Sequence, residues 1–149
     1  MHFSASTSLA VLLAVMTPVS AWRATFYDQW FCNPKDDTQY RSISGDTDGA
    51  CYIFGKDMPG TACEKFTNGG VNKGACDGEA FVPQAVLVQP GTACEVFADD
   101  NCEVAVRRYW STDGYPYCGV YDAGIGFSIS PIKSFHCLPS SNTDNRGRD

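Results

Sequence analysis

The chain has 149 residues, 44% of them hydrophobic and 19% charged, with eight cysteines and a formal charge of −6 from 17 acids against 11 Lys and Arg. That apolar and aromatic content excludes a disordered acidic chain, and the negative surplus speaks against a partner recognised through a phosphate backbone, so no nucleic acid is expected. The length fits one domain or two small ones.

Residues 1–21 have the layout of a secretory signal peptide: a short polar start, an apolar run from Leu9 to Met16, Pro18, then Val19-Ser20-Ala21 before Trp22. Cleavage is expected after Ala21. A membrane span needs about twenty apolar residues, and neither this run nor any later segment is that long, so no span is expected.

From Trp22 onward the apolar segments are short, rich in β-branched and aromatic residues, and separated by Gly, Pro, Asn and Asp. In chain order they predict strands at 23–27, 39–44, 51–54, 63–67, 81–89, 94–98, 103–110, 118–122, 126–130 and 132–137. No long window shows a clean helical period. The expectation is an all-β domain over 22–137, a compact disulfide-rich β-sandwich. The polar stretch 138–149 is expected to be a disordered tail.

Two internal registers divide this domain. Pro59-Gly60-Thr61-Ala62-Cys63-Glu64-Lys65-Phe66 recurs as Pro90-Gly91-Thr92-Ala93-Cys94-Glu95-Val96-Phe97, and, more faintly, Tyr27 through Cys32 matches Phe97 through Cys102. Both begin a unit near residue 90, which predicts two related Greek-key-like halves, about 22–89 and 90–137. Gly-rich hairpin material around Asn68–Gly78 is an extra in the first.

The cysteines are Cys32, Cys51, Cys63, Cys76, Cys94, Cys102, Cys118 and Cys137, spread along the domain with no CxxC pair. Zinc sites show close thiolate pairs, whereas an exported chain with an even, dispersed set implies four disulfides. Cys102 matches Cys32, but Cys94 falls opposite Ala24. If equivalent cysteines keep equivalent partners, the pairs are Cys32–Cys51 and Cys102–Cys118, with Cys63–Cys76 clasping the hairpin and Cys94–Cys137 closing the fold.

No catalytic residue is assigned. His136 is the one histidine after the signal peptide, set at a strand end beside a disulfide cysteine, where a structural or surface role outweighs acid–base work. The carboxylates of Asp36-Asp37, Asp46 with Asp48, and Asp99-Asp100 lie in loop-like sequence and read as turn residues rather than a glycosidase pair. Asp46-Thr47-Asp48-Gly49 lacks the further oxygen ligands of a calcium loop, so no metal and no cofactor is expected. Arg107, Arg108, Trp110, Tyr115 and Tyr117 are the candidate binding surface, suited to stacking on a sugar or to a protein partner, with packing of the aromatics into the core as the equal alternative. Strand alternation puts Arg108 and Trp110 on one face and Arg107 and Tyr109 on the other.

This signal cut, the eight scattered cysteines, the Gly- and Asn-rich loops and the acidic balance resemble the small secreted cysteine-rich proteins of filamentous fungi, many of them effectors or elicitors. The strand Cys94–Ala98 and the closing segment Ser130-Pro131-Ile132-Lys133-Ser134-Phe135 also look like the repeated Greek-key unit of βγ-crystallin domains, a fold shared by some microbial killer toxins. The calcium frame of that family, ended at Ser134, puts Ile129 and Ser130 in the acidic places and Lys133 in a hydroxyl place, so no calcium ligand carries over. The resemblance implies a secreted effector that binds an extracellular host protein or cell-wall glycan. A killer-type toxin is the alternative, and a protease inhibitor using the loop 112–117 is a further one.

Overall fold

A computed structural model describes residues 21–111, 114–120 and 131–140. Ten strands follow in order: β1 (Trp22–Tyr27), β2 (Tyr40–Gly45), β3 (Tyr52–Ile53), β4 (Thr61–Thr67), β5 (Asn72–Ala75), β6 (Ala85–Val88), β7 (Thr92–Phe97), β8 (Ala105–Ser111), β9 (Tyr117–Val120) and β10 (Ser134–Pro139). All pairings are antiparallel. They build a six-stranded sheet, β5-β4-β2-β1-β6-β9, and a four-stranded sheet, β3-β10-β7-β8. The expected signal peptide and the expected strand at 126–130 lie outside the described residues.

Alternation along the strands sends one face of each sheet into a shared core. Trp22, Ala24 and Phe26 from β1, Ile43 from β2, and Val86 and Val88 from β6 meet Val96 from β7, Tyr109 from β8 and Phe135 from β10. Phe135 is the hub: its ring centre lies 4.5 Å from Phe26, 5.0 Å from Phe54, 5.5 Å from Tyr52 and 6.2 Å from Trp22. Two glycines make room for rings. A Cβ on Gly45 would stand 2.5 Å from the Trp22 indole, and one on Gly119 would stand 2.0 Å from the Tyr109 ring. On the far side of the larger sheet, Tyr27, Tyr40 and Phe66 stack in register across β1, β2 and β4 at 5.3 and 4.6 Å.

The strand order is written twice. In the larger sheet β2-β1-β6-β9 run side by side; in the smaller, β8-β7-β10-β3. Matching β1 to β7, β2 to β8, β3 to β9 and β6 to β10 makes the two sequences of neighbours identical. The third strand of each set therefore sits in the sheet of the other. The hairpin β4–β5 is additional, attached to the β2 edge and clasped by Cys63–Cys76.

This exchange corrects the expected disulfides. The bridges are Cys32–Cys118, Cys51–Cys102, Cys63–Cys76 and Cys94–Cys137. Cys32–Cys51 and Cys102–Cys118 do not form, because Cys51 precedes β3 and Cys118 lies in β9, the two strands that change sheets. Equivalent cysteines do have equivalent partners, but in the opposite set.

Three smaller expectations change as well. Leu138 and Pro139 belong to β10, paired with Ala93 and Thr92, rather than to a tail beginning at 138. The strand expected over 81–89 is confined to Ala85–Val88. Asn72–Ala75, fully exposed and poor in strand formers, is a strand because the clasped hairpin holds it against β4.

Candidate functional site

On β7, Cys94 and Val96 point into the core, so Ala93 and Glu95 face away from it. Ladder register places Arg108 of β8 and His136 of β10 on either side of Glu95, and Trp110 and Leu138 on either side of Ala93. The Glu95 carboxylate lies 3.1 Å from His136 Nε2 and 3.9 Å from an Arg108 guanidinium nitrogen. The His136 ring meets Phe97 edge to face at 5.1 Å. Beside this charged row the Trp110 side chain is 38% exposed. An aromatic face and a row of hydrogen-bonding groups are thus presented two residues apart on one sheet surface. Beneath them, the buried Cys94–Cys137 bridge joins residues directly opposite in β7 and β10.

Of the candidate residues, Arg108 and Trp110 come together here. Arg107 is exposed but belongs to the other face of β8, and a bulge at Val96/Phe97 interrupts the ladder beside it. Tyr115 and Tyr117 are exposed away from this row; the Tyr117 ring is 6.5 Å from that of the buried Tyr109, and Ser111 Oγ donates to the Tyr115 carbonyl. The row includes two residues that the sequence did not place in the binding surface: Glu95, which was not singled out, and His136, whose strand-end setting reads as structural or surface. The signal for Glu95 was its place next to Cys94, which fixes it on the opposite face; His136 is likewise next to Cys137.

A second feature is a cleft of about 420 Å³ where the hairpin meets the β3–β4 loop, lined among others by Arg41, Lys56, Asp57, Met58 and Asp77. Arg41 is only 3% exposed, donates to the Glu79 carbonyl at 2.9 Å and covers the Phe81 ring at 4.7 Å. Burial pushes its guanidinium below the usual range, against the pull of Asp77 and Glu79. Those two carboxylates are held by Lys65. Arg41 thus anchors the segment leading into β6 through the Glu79 carbonyl and the Phe81 ring.

Among the described residues no three His, Cys, Asp or Glu side chains converge to hold a metal ion, and no helix is long and apolar enough to cross a membrane.

The family model of the C-terminal domain of the secreted LysM effector LysM14 matches residues 22–137. The chain belongs to this family. As a LysM14 C-terminal-domain protein it is a secreted, disulfide-rich, effector-type protein, and the matched span covers all ten strands except the last two residues of β10. No curated protein and no solved structure matches the chain. Neither comparison bears out the expected βγ-crystallin-like fold.

Proposed function

We propose that this protein is a non-enzymatic effector that binds an extracellular glycan through the outer face of the four-stranded sheet. The observation that carries the reading is the half-exposed Trp110 beside the Arg108–Glu95–His136 row, on three paired strands of which β7 and β10 are also joined by a buried disulfide. A sugar ring offers an apolar face to an indole and hydroxyls to flanking polar groups, and a rigid platform binds without an ordering cost. The LysM effector family supports an extracellular glycan over other ligands. Export through cleavage after Ala21 belongs to the same proposal and leaves Trp22, the first residue of β1, at the mature N-terminus.

Co-sedimentation with insoluble chitin, cellulose and xylan tests it. The wild-type protein should pellet with at least one of these, Trp110→Ala should remain in the supernatant, and Arg107→Ala should behave as wild type. Failure of the wild type to pellet with any of them, or equal pelleting of Trp110→Ala, would remove the reading.

A further inference from the structure

Between β1 and β2 the chain makes a loop from Asp28 to Gln39 that presents two large apolar side chains to solvent, Trp30 at 40% and Phe31 at 70% exposure. Among the described residues neither ring packs against another aromatic ring. The loop around them is nevertheless held at many points. Asp28 N–H donates to the Gln39 carbonyl, and the Asp28 carboxylate accepts from Gln39 N–H, both at 3.0 Å. Lys35 N–H donates to Thr38 Oγ1, Gly69 N–H donates to the Thr38 carbonyl, and Gln29 reaches Asp37 at 3.4 Å. Cys32, the residue after Phe31, is bridged to Cys118 in β9.

The doubled strand order supplies an internal control. The equivalent loop joins β7 to β8. It closes with the same backbone bond, Ala98 N–H to the Val104 carbonyl at 3.1 Å, and carries Cys102, bridged to Cys51, in the place of Cys32. Aligned from β1 and β7 through those cysteines, Trp30 and Phe31 correspond to Asp100 and Asn101, both exposed. A shorter loop, seven residues against twelve, thus closes with an equivalent backbone bond and an equivalent disulfide anchor while carrying polar residues at the matching positions. The equivalent loop closes without aromatics at these positions, and the exposed part of Trp30 and most of Phe31 cost solubility without being covered by the rest of the chain.

We infer that Trp30 and Phe31 form a preorganised knuckle that docks into an apolar pocket with a basic rim on a host extracellular protein. Rigid aromatics held in a bound-ready conformation are the features that dominate protein interfaces, because little conformational entropy remains to be lost. The basic rim follows from charge complementarity. The loop carries Asp28, Asp36 and Asp37 against a single base, Lys35, in a chain of net charge −6, and Asp37 is tied to Gln29 next to Trp30. This surface is separate from the Trp110 face, so either can fail without the other.

The test places a photo-crosslinking phenylalanine analogue at position 31 and irradiates the protein in plant apoplastic fluid and in insect haemolymph. A discrete protein adduct should form in one of them. Excess unlabelled wild type should compete it away, while W30D/F31N, which copies the tip of the equivalent loop, should not. The crosslinked peptide should have Lys or Arg flanking an apolar site. D36N/D37N should lower adduct yield several-fold, as should raising salt from about 0.1 M to about 1 M, where the screening length falls to about 3 Å. The melting temperature and four disulfides of W30D/F31N should match wild type, and it should still pellet with any glycan the wild type binds. Absence of a saturable adduct in both fluids, equal competition by W30D/F31N, or an adduct to carbohydrate would overturn the inference. So would a fall in the stability of W30D/F31N, since that would give the aromatics a structural purpose.

Discussion

Ala24 stands directly across from Val88 in the β1–β6 ladder, at the place where the other sheet has the Cys94–Cys137 bridge in the β7–β10 ladder. One fold therefore accepts either an apolar pair or a disulfide at equivalent core positions. C94A/C137V, which writes the first arrangement into the second, should fold with its other three bridges intact. Releasing the loop of 43-residue separation should lower unfolding free energy by about 4 kcal/mol, measured by denaturant titration. For C63A/C76A, with a separation of 13, the loss should be about 3 kcal/mol.

Gly119 lies under the Tyr109 ring with no space for a methyl group. Gly119→Ala should destabilise the protein by about 1–3 kcal/mol through overpacking. Tyr109→Ile added to that variant should recover part of the loss, because the corresponding position on β2 is Ile43 and it packs without a glycine beneath. Additive losses in the double-mutant cycle would show that the two positions do not share this space.

Two loop carboxylates should affect acid stability in opposite senses. Partial burial raises the Asp28 carboxyl above its ordinary value, helped by Asp37 and opposed by the Gln39 N–H. The folded state thus takes up that proton before the unfolded state, and the ionised group is a liability above both values. Asp28→Asn should give a small stability gain at neutral pH, within about 0.5 kcal/mol, that vanishes at acid pH. For Asp99, desolvation pulls upward, but the N–H groups of Val104 and Glu103 outweigh it and hold the carboxyl below its ordinary value. Its contribution is complete above the unfolded value and is lost as pH falls through the folded one. Asp99→Ala should therefore lower the melting temperature at pH 7 and have a shrinking effect towards pH 2, read in a series of thermal melts.

On the outer sheet face, Arg108→Ala should weaken glycan binding on the order of tenfold, a loss of about 1.4 kcal/mol, without changing the melting temperature. His136→Ala should weaken it a few-fold, because the imidazole at 3.1 Å fixes the Glu95 carboxylate. Binding isotherms for the two variants on the polysaccharide that retains the wild type provide the check.

The all-β character and most strands were legible from short β-branched and aromatic runs between turn residues. The internal repeat was legible but misleading in its stronger form. Pro59–Phe66 and Pro90–Phe97 share most of their residues, yet β4 belongs to the added hairpin and β7 to the core. The fainter match of Tyr27–Cys32 to Phe97–Cys102 marks the strands that occupy equivalent places. Identity of sequence reported a shared strand preference, whereas topology depends on which edge each strand finds. For the same reason Cys32–Cys118 was out of reach: nothing in the local sequence of Tyr52–Ile53 or Tyr117–Val120 says that these strands cross to the other sheet. The Arg108–Glu95–His136 row depends on the register of three strands, two of them far apart in the chain.

The crossed third strands also set an order of events for a chain entering an oxidising compartment. Neither sheet can be completed until residues beyond 117 have been translocated: β1, β2, β4, β5 and β6 can pair among themselves, but β6 waits for β9 and β3 for β10. During that interval Cys63 and Cys76 can find each other within a hairpin, but Cys32 meets only wrong partners, with Cys51 the nearest in sequence. A premature Cys32–Cys51 bond would tie β3 to the wrong sheet and would have to be reshuffled before the native pairs close. Maturation of this protein should consequently be governed by thiol–disulfide isomerisation rather than by strand formation, on a scale of seconds to hours instead of microseconds.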